Sequence, residues 1–113
     1  MKINNVELID LDIFDVDVAE KYENALKKIE NIAAEVKNLG MADSIRKQCN
    51  AIFNVFNTLF GEGTDKKIFG DKVNLLVCIK AFEELVVQVN EQKKELDNIA
   101  NKYSPNRAQR RNK

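Results

Sequence analysis

Four aspartates near the start of the chain have the spacing that best suits a metal site. Asp10 and Asp12 lie two residues apart, and Asp15 and Asp17 form a second such pair. Carboxylate oxygens are the ligands that Mg²⁺ and Ca²⁺ prefer, but a calcium loop also needs further oxygens, a central glycine and a distal glutamate. Alternation along an extended segment explains the first pair, and helix capping explains the second. We therefore expect no metal ion here.

Groups suited to acid–base or nucleophilic catalysis are sparse in this chain. Histidine, the commonest general base, is absent. Ser44 and Ser104 therefore have no histidine to activate them, and nothing gathers lysine, glutamate or tyrosine into one site. Gly61 and Gly63 lack the G-x-x-x-x-G-K-[ST] pattern of a phosphate-binding loop, and no predicted strand precedes them. We predict a protein without catalytic residues or a cofactor.

The two cysteines are better explained by packing than by chemistry. Cys49 and Cys78 belong to no C-x-x-C pair, and no histidine is present to complete a zinc site. Both fall within apolar helical patterns, where cysteine behaves as a small buried hydrophobe. A disulfide and a reactive thiol are the two less favoured alternatives.

The composition is typical of one folded domain. The 113 residues are 44% hydrophobic and 32% charged, with 18 basic and 18 acidic side chains. This content is too apolar for a disordered chain, and a zero net charge argues against a dedicated nucleic-acid or membrane-surface protein. The first residues do not resemble a signal peptide, and no apolar run approaches the ~20 residues of a membrane span. We expect a soluble cytoplasmic protein.

Hydrophobic periodicity predicts a mainly α fold. We predict one helix from about Asp15–Asp17 to Leu39 with Gly40 as its C-terminal cap, a second over residues 41–60, and a third from Asp71, as N-cap, to about residue 102. The first half of the third helix is apolar on nearly every side, which favours a central position in the bundle. The glycines of residues 61–70 indicate a loop.

The first residues have a different pattern. Ile9, Leu11 and Ile13 alternate with aspartates, as in a half-buried strand, and Asn4-Asn5 suits a tight hairpin turn. We therefore predict a three-helix domain with a long C-terminal helix and a small N-terminal β-hairpin. It would comprise residues 1–103, with an extended or hairpin segment at 2–14 and a flexible basic tail at 104–113.

Two apolar pairs are candidate partner contacts. The heptad-like stripe of the third helix continues through Leu96 and Ile99 into a half that is polar on most other faces, so these two side chains are available for association. Ile68 and Phe69 lie in the glycine-rich loop, where they either fold back onto the core or contact a partner. An oligomer is a natural use of such a projecting stripe.

The charges are concentrated at the two ends of the chain. Residues 1–20 hold six acidic side chains against one lysine, whereas residues 102–113 hold five basic side chains and no acid. Arg107, Arg110 and Arg111 form the most distinct polar motif of the tail. They could dock on an acidic protein surface, such as the head of a neighbouring copy, or bind phosphates with a salt-sensitive affinity. We rank a protein partner above nucleic acid. The alternative that both ends of the chain are simply solvated remains open.

Four stretches together carry a family resemblance. They are MKINNVEL at residues 1–8, FDVDVAEKYE at 14–23, LFGEGTDKKIFG at 59–70 and SPNRAQRR at 104–111. With them the chain resembles the tail assembly chaperones of long-tailed phages and prophages of Gram-positive bacteria. The loop and the C-terminal peptide are its distinctive parts.

The resemblance implies an assembly role without catalysis. Chaperones of this kind are mostly helical, bind the tape-measure protein to keep its apolar helices in solution, help to recruit tail-tube subunits, and are absent from the finished virion. It further implies a location in the host cytoplasm and gives no catalytic residue to transfer. From the residues themselves we expect a homo-oligomer that does not bind a membrane. Two alternatives remain: a small helical regulator that binds nucleic acid through the basic tail, and a structural head–tail connector component.

Overall fold

The computed structural model describes residues 1–102, and the predicted basic tail at 104–113 lies outside them. Two short strands, β1 (Lys2–Ile3) and β2 (Val6–Glu7), are followed by helix α1 (Val16–Glu35) and a 3-10 turn (Val36–Asn38). Helices α2 (Met41–Phe60), α3 (Thr64–Phe69) and α4 (Leu75–Lys102) complete the order. The prediction of a mainly α fold with a long C-terminal helix and an N-terminal hairpin is confirmed.

The hairpin turns at the predicted asparagines. Asn4 and Asn5 have φ values of 51° and 64°, a left-handed conformation that asparagine tolerates better than most residues. The two strands pair antiparallel, with Lys2 opposite Glu7. Since a two-stranded hairpin is not stable alone, it packs on α4, where the backbone N–H of Asn4 donates to Glu84 Oε2 at 2.9 Å.

The predicted strand alternation of residues 9–13 is wrong in part. Leu11 and Ile13 are buried as expected, but Ile9 is 66% exposed, and no strand forms over these residues. The segment is held by α4 instead of by a neighbouring strand. Gln92 Nε2 donates to the carbonyl of Leu11 at 2.9 Å, and Gln92 Oε1 accepts from the backbone N–H of Ile13 at 3.2 Å.

The first helix begins where predicted but ends differently. Asp15 is the N-cap, and its Oδ1 accepts from the N–H of Asp17 at 2.9 Å. At the other end α1 passes into the 3-10 turn, and Gly40 precedes α2 with an ordinary φ of −65°. The prediction of Gly40 as a C-terminal cap of the first helix is therefore wrong, because the turn reaches Leu39 without a left-handed residue.

The predicted loop at 61–70 contains the short helix α3. Gly61 and Gly63 have φ values of +108° and +90°, and these positive values let the chain reverse sharply after α2. Thr64 is buried, and its hydroxyl donates to the carbonyl of Gly61 at 2.6 Å. The N–H of Asp65 donates to Asn57 Oδ1 at 3.0 Å, so α2 helps to start α3.

The long helix starts later than predicted. Asn74 Oδ1 accepts from the N–H of Val77 at 3.1 Å, so Asn74 performs the capping that was predicted for Asp71. Asp71 is instead 99% exposed and pairs with Lys66 Nζ at 3.3 Å. An asparagine caps a helix about as well as an aspartate, which is why the sequence alone favoured the wrong residue.

Helix α2 occupies the centre of the fold, with α1 and α4 packed on it. Lys47 near the start of α2 pairs with Glu35 at the end of α1 at 3.6 Å, so these two helices run antiparallel. The segment between α2 and α4 folds back over α2, where Phe69 lies 5.1 Å from Phe53 between ring centroids. Helix α4 therefore starts beside the first half of α2, and Cys78 contacts Cys49 there. The prediction that α4 is the central helix is wrong, since Ile79 on its first half is 38% exposed.

Candidate protein-binding surface

The core-facing stripe of α4 continues beyond the core. Cys78, Leu85 and Val89 are completely buried against the rest of the fold. Leu96 and Ile99 follow at the same heptad spacing, yet they are 50% and 49% exposed. Exposed apolar side chains on the seam of a helix are typical of helix–helix contacts with another chain.

Gln92 marks the boundary between the buried and the exposed parts of this stripe. Its side chain is half-buried beneath the N-terminal segment, where both of its amide atoms are hydrogen-bonded to the backbone. A polar residue in a helix seam lowers stability but fixes register, and here it aligns residues 11–13 on α4. Leu96 and Ile99, the candidate contacts for a partner, lie C-terminal to Gln92 on α4.

A cavity beside Leu96 extends the exposed stripe toward α1. It has a volume of about 340 Å³, and its apolar lining includes Ile13, Phe14 and Tyr22. Phe14 is itself 51% exposed. An apolar side chain from a partner could therefore contact α4, α1 and the N-terminal segment together.

A second cavity separates α1 from α4 at the other end of the same helices. It has a volume of about 280 Å³, with Ile29 and Ile32 of α1 on one side and Ile79 and Phe82 of α4 on the other, over Ile52 of α2. These two cavities lie at opposite ends of the boundary between α1 and α4, and they share no lining residue. Neither cavity was predicted from the sequence, although the unusually apolar first half of α4 was a signal.

Ile68 and Phe69 lie in the core. They are 5% and 8% exposed, and the ring of Phe69 also packs edge-on against Phe56 at 5.8 Å between centroids. The carbonyl of Ile68 accepts from Asn4 Nδ2 at 3.0 Å. Of the two alternatives for this pair, folding back onto the core is the one that the structure adopts. Both residues still line a cavity of about 250 Å³ next to Asn4 and Val77.

The candidate arginines of the tail, Arg107, Arg110 and Arg111, lie outside the described residues. A cavity of about 710 Å³ lies on the other side of α1, between α1 and α2. Its lining includes Lys28, Asn31, Asn50 and Asn54. Ile32, Ala34 and Ala51 also line it, so its surface is mixed in polarity.

The aspartate pairs near the start of the chain have local roles in the structure. Asp12 Oδ1 accepts from the N–H of Phe14 at 3.1 Å, and Asp15 caps α1. Among residues 1–102 no group of three or more cysteine, aspartate or glutamate side chains has an arrangement that could hold a metal ion. The carboxylates at this end therefore contribute turns, a helix cap and negative charge.

Cys49 and Cys78 are unpaired thiols that are completely buried. Burial, together with a smaller effect of the contact with Cys49, raises the pKa of the Cys78 thiol to about 12, and the hydrogen bond with the backbone of Asn74 opposes this change. A thiol with such a high pKa stays protonated and unreactive at neutral pH. The interpretation of both cysteines as small buried hydrophobes agrees with this environment.

No helix of the described part of the chain is both long enough and apolar enough to cross a membrane. Neither a curated protein nor a solved structure matches the chain. One family, described as a family of unknown function (DUF6673), matches residues 4–113. Because this match spans nearly the whole sequence, from the hairpin turn through the C-terminal peptide, the chain belongs to the DUF6673 family.

Proposed function

We propose that this protein is a phage tail assembly chaperone. In this role it binds the tape-measure protein in the host cytoplasm, keeps its apolar helices in solution, helps to recruit tail-tube subunits, and leaves before the virion is complete. It catalyses no reaction. The observation that carries the proposal is the apolar stripe of α4, which leaves the core and stays half exposed at Leu96 and Ile99.

The geometry of the stripe suits the binding of another helix. Leu96 and Ile99 lie one turn apart on α4, which is 28 residues long, so they offer neighbouring contacts along one line. A partner helix with its own apolar stripe can pack there by the helix-in-groove mode. The polar side chains Lys93, Lys94, Glu95 and Asp97 surround the stripe, and all are exposed. They would form the rim of the contact.

The sequence resemblance supports the choice among helical binding proteins. The loop LFGEGTDKKIFG and the C-terminal SPNRAQRR resemble those of phage tail assembly chaperones. Assembly of several copies would present several stripes to one long tape-measure protein, which would raise the overall affinity through multivalency. A homo-oligomer is therefore part of the proposal.

Co-expression with the tape-measure protein tests this function. Tagged wild-type protein should recover the tape-measure protein from the soluble fraction, and Leu96→Asp/Ile99→Asp should reduce recovery at least tenfold. Val87→Asp is the matched control, because Val87 lies on the same helix, is 54% exposed and stands outside the stripe. Equal recovery by the double variant and the control would remove the stripe from the binding site. Failure of the wild type to recover any tape-measure protein would contradict the function itself.

Analysis of purified particles separates the chaperone from a structural component. A chaperone should be missing from virions that contain the tail-tube and tape-measure proteins. Its presence in stoichiometric amounts, measured by mass spectrometry, would favour a head–tail connector instead.

A further inference from the structure

A continuous open space follows the boundary between α1 and α2. It consists of the cavity of about 710 Å³ and a smaller cavity of about 140 Å³. Lys28 of α1 and Ala51 and Asn54 of α2 line both cavities, so the two adjoin one another. We call this space, lined from Lys21 to Glu35 along α1 and from Lys47 to Thr58 along α2, the α1–α2 groove.

The groove has an apolar floor and polar walls. Ala25 and Val55 are buried at its base, and Ile32 and Ala51 are half-buried there. The walls consist of exposed polar side chains, which are Lys21, Asn24, Lys28, Asn31 and Glu35 on α1 and Lys47, Asn50, Asn54 and Thr58 on α2. A bound chain would therefore meet apolar surface beneath it and hydrogen-bonding groups on both sides.

Four carboxamides in these walls are available to a ligand. Among residues 1–102, which the structure describes, the following amide side chains form no hydrogen bond with another residue: Asn24, Asn31, Asn50 and Asn54. Other asparagines use theirs to hold the backbone of this fold, as Asn57 does for Asp65. A carboxamide offers a donor and an acceptor, as a peptide unit does. Each free amide can therefore bind one peptide unit of another chain through two hydrogen bonds.

The spacing of the amides matches an extended chain. Asn50 and Asn54 lie about one helical turn apart, or roughly 6 Å along α2. Every second residue of an extended chain repeats after about 6.6 Å, so one strand places equivalent peptide units opposite both amides. The 14 residue steps from Lys21 to Glu35 give the groove a length of roughly 21 Å. That length corresponds to about six residues of an extended chain.

The charges in the walls favour an acidic chain. Three lysines and one glutamate line the groove, and Glu35 pairs with Lys47 at 3.6 Å. In the part of the chain that the structure describes, Lys21 and Lys28 belong to no ion pair. Complementary charges favour and steer a partner of opposite sign. Nucleic acid fits less well, because its affinity depends on many phosphate contacts and only two lysines here are unpaired.

We propose that the α1–α2 groove binds an extended acidic segment of another protein, about six residues long. The carboxamides of Asn50 and Asn54 bind its peptide units, and Lys21 and Lys28 bind its carboxylates. The proposal goes beyond the proposed function and does not depend on it, because the apolar stripe of α4 takes no part in the groove.

Synthetic peptides provide the probe. A labelled octapeptide of alternating aspartate and threonine, in which threonine favours the extended conformation, is titrated with the full chain, and binding is followed by fluorescence anisotropy. A peptide with lysine in place of aspartate tests the charge requirement. A version with N-methylated peptide nitrogens tests recognition of the backbone. The acidic peptide should bind at least tenfold more tightly than the lysine peptide and at least fivefold more tightly than the N-methylated one.

One pair of variants tests the amides. Asn50→Ala/Asn54→Ala should weaken binding of the acidic peptide at least fivefold. Asn90→Ala/Asn98→Ala should leave it unchanged, because these two side chains are exposed on α4 outside the groove. Alanine favours a helix more than asparagine does, so we expect both variants to fold, as circular dichroism can check.

A second pair tests the lysines. Lys21→Glu/Lys28→Glu should weaken binding of the acidic peptide at least tenfold and increase the affinity for the lysine peptide. Lys27→Glu/Lys80→Glu is the matched control, because it changes the net charge equally at exposed positions outside the groove. This control should bind the acidic peptide within about twofold of the wild type, since screening weakens the effect of distant surface charges.

Several results would overturn the proposal. They are no saturable binding of the acidic peptide up to about 1 mM, equal binding of the lysine or the N-methylated peptide, and equal effects of either groove variant and its control. Tighter binding of a single-stranded DNA octamer, lost in Lys21→Glu/Lys28→Glu, would assign the groove to nucleic acid. A lower molecular mass of that variant in light scattering would show that a second copy fills it. Either finding also rejects an acidic segment of another protein.

The outcomes separate this proposal from the proposed function. Binding of the acidic peptide in the groove, without recovery of the tape-measure protein, would contradict the chaperone role alone. Recovery of the tape-measure protein, without binding of the acidic peptide, would contradict the groove alone. Leu96→Asp/Ile99→Asp should leave the affinity for the acidic peptide unchanged, because neither residue lines the groove.

Discussion

Gln92 Nε2 donates a hydrogen bond to the carbonyl of Leu11 at 2.9 Å, across 81 residues of sequence. This bond joins the start of the chain to the second half of α4 and, with the bond from Ile13, holds residues 11–13 in place. Buried Leu11 and Ile13 pack beside it. Just beyond this point, the apolar stripe of α4 changes from buried to exposed.

We expect Gln92→Ala to loosen the N-terminal segment. Loss of the side chain leaves the carbonyl of Leu11 and the N–H of Ile13 without these partners, and each such loss in a partly buried site costs about 1–2 kcal/mol. The free energy of unfolding in urea should fall by about 1–3 kcal/mol, and amide exchange of residues 11–13 should accelerate. Lys94→Ala, on an exposed position of the same helix, is the control. Unchanged exchange at Ile13 in Gln92→Ala would contradict the role of this side chain.

The start of α4 is tested by two neighbouring substitutions. Asn74→Ala removes the side chain that accepts from the N–H of Val77, and loss of an N-cap typically costs about 1 kcal/mol. Asp71→Ala removes a fully exposed side chain that pairs with Lys66, and such surface pairs contribute little. Chemical denaturation should therefore show a clear decrease for Asn74→Ala and almost none for Asp71→Ala. The reverse order would place the helix start at Asp71.

Phe69 should be one of the larger contributors to stability among the aromatic residues. It is 8% exposed and packs against Phe53 and Phe56, and replacement of a buried phenylalanine by alanine costs about 3–5 kcal/mol. Phe14→Ala is the control, because it makes the same substitution at a phenylalanine that is 51% exposed. Thermal unfolding should separate the two variants widely. If both lower the melting temperature equally, α3 is not docked as described.

Burial of the two thiols has consequences for their rate of chemical labelling and for the pH dependence of the free energy of unfolding. The pKa of Cys78 is raised by burial from an ordinary 9.0 to about 12, so the folded protein should react with a disulfide reagent only at the rate at which it unfolds. The unfolded chain loses its thiol proton at a lower pH than the folded chain does. The contribution of Cys78 is therefore complete below pH 9 and decreases as the pH rises toward 12.

A comparison with Cys78→Ala isolates this effect from other groups that titrate in alkali. The wild type should lose more stability than Cys78→Ala between pH 8 and pH 10. Parallel curves for the two proteins, or rapid labelling of both thiols in the native state at pH 7, would contradict the buried environment.

Local signals account for the parts of the fold that the sequence predicted. Asn4-Asn5 specifies a tight turn by its own backbone preference, and the apolar periodicity of α1, α2 and α4 extends over five or more turns. Helix α3 has only six residues, too few for a period to emerge, and the flanking glycines indicated a loop. Asp71 and Asn74 have similar intrinsic preferences for the N-cap position, so the local sequence cannot distinguish them. The packing of α4 on the rest of the fold decides which residue caps the helix.

The candidate surface was predictable in one part only. Exposure of Leu96 and Ile99 followed from a stripe that continues among polar neighbours. The two cavities between α1 and α4 were not predictable, because they depend on which helix lies in the centre of the fold, and the apolar first half of α4 suggested α4 over α2. The side chain of Ile79 therefore faces a cavity where the sequence indicated a core.

The contacts between the N-terminal segment and α4 set an order of events during synthesis. The carbonyls of Lys2 and Leu11 accept hydrogen bonds from Gln88 and Gln92, so the N-terminal segment cannot complete its contacts until α4 has been synthesised. Helices α1 and α2, adjacent in sequence, can pair early, while contacts over such long sequence separations form late. Until α4 has emerged, the nascent polypeptide exposes Ile3, Leu11 and Ile13, and the N-terminal segment closes the fold as its final step.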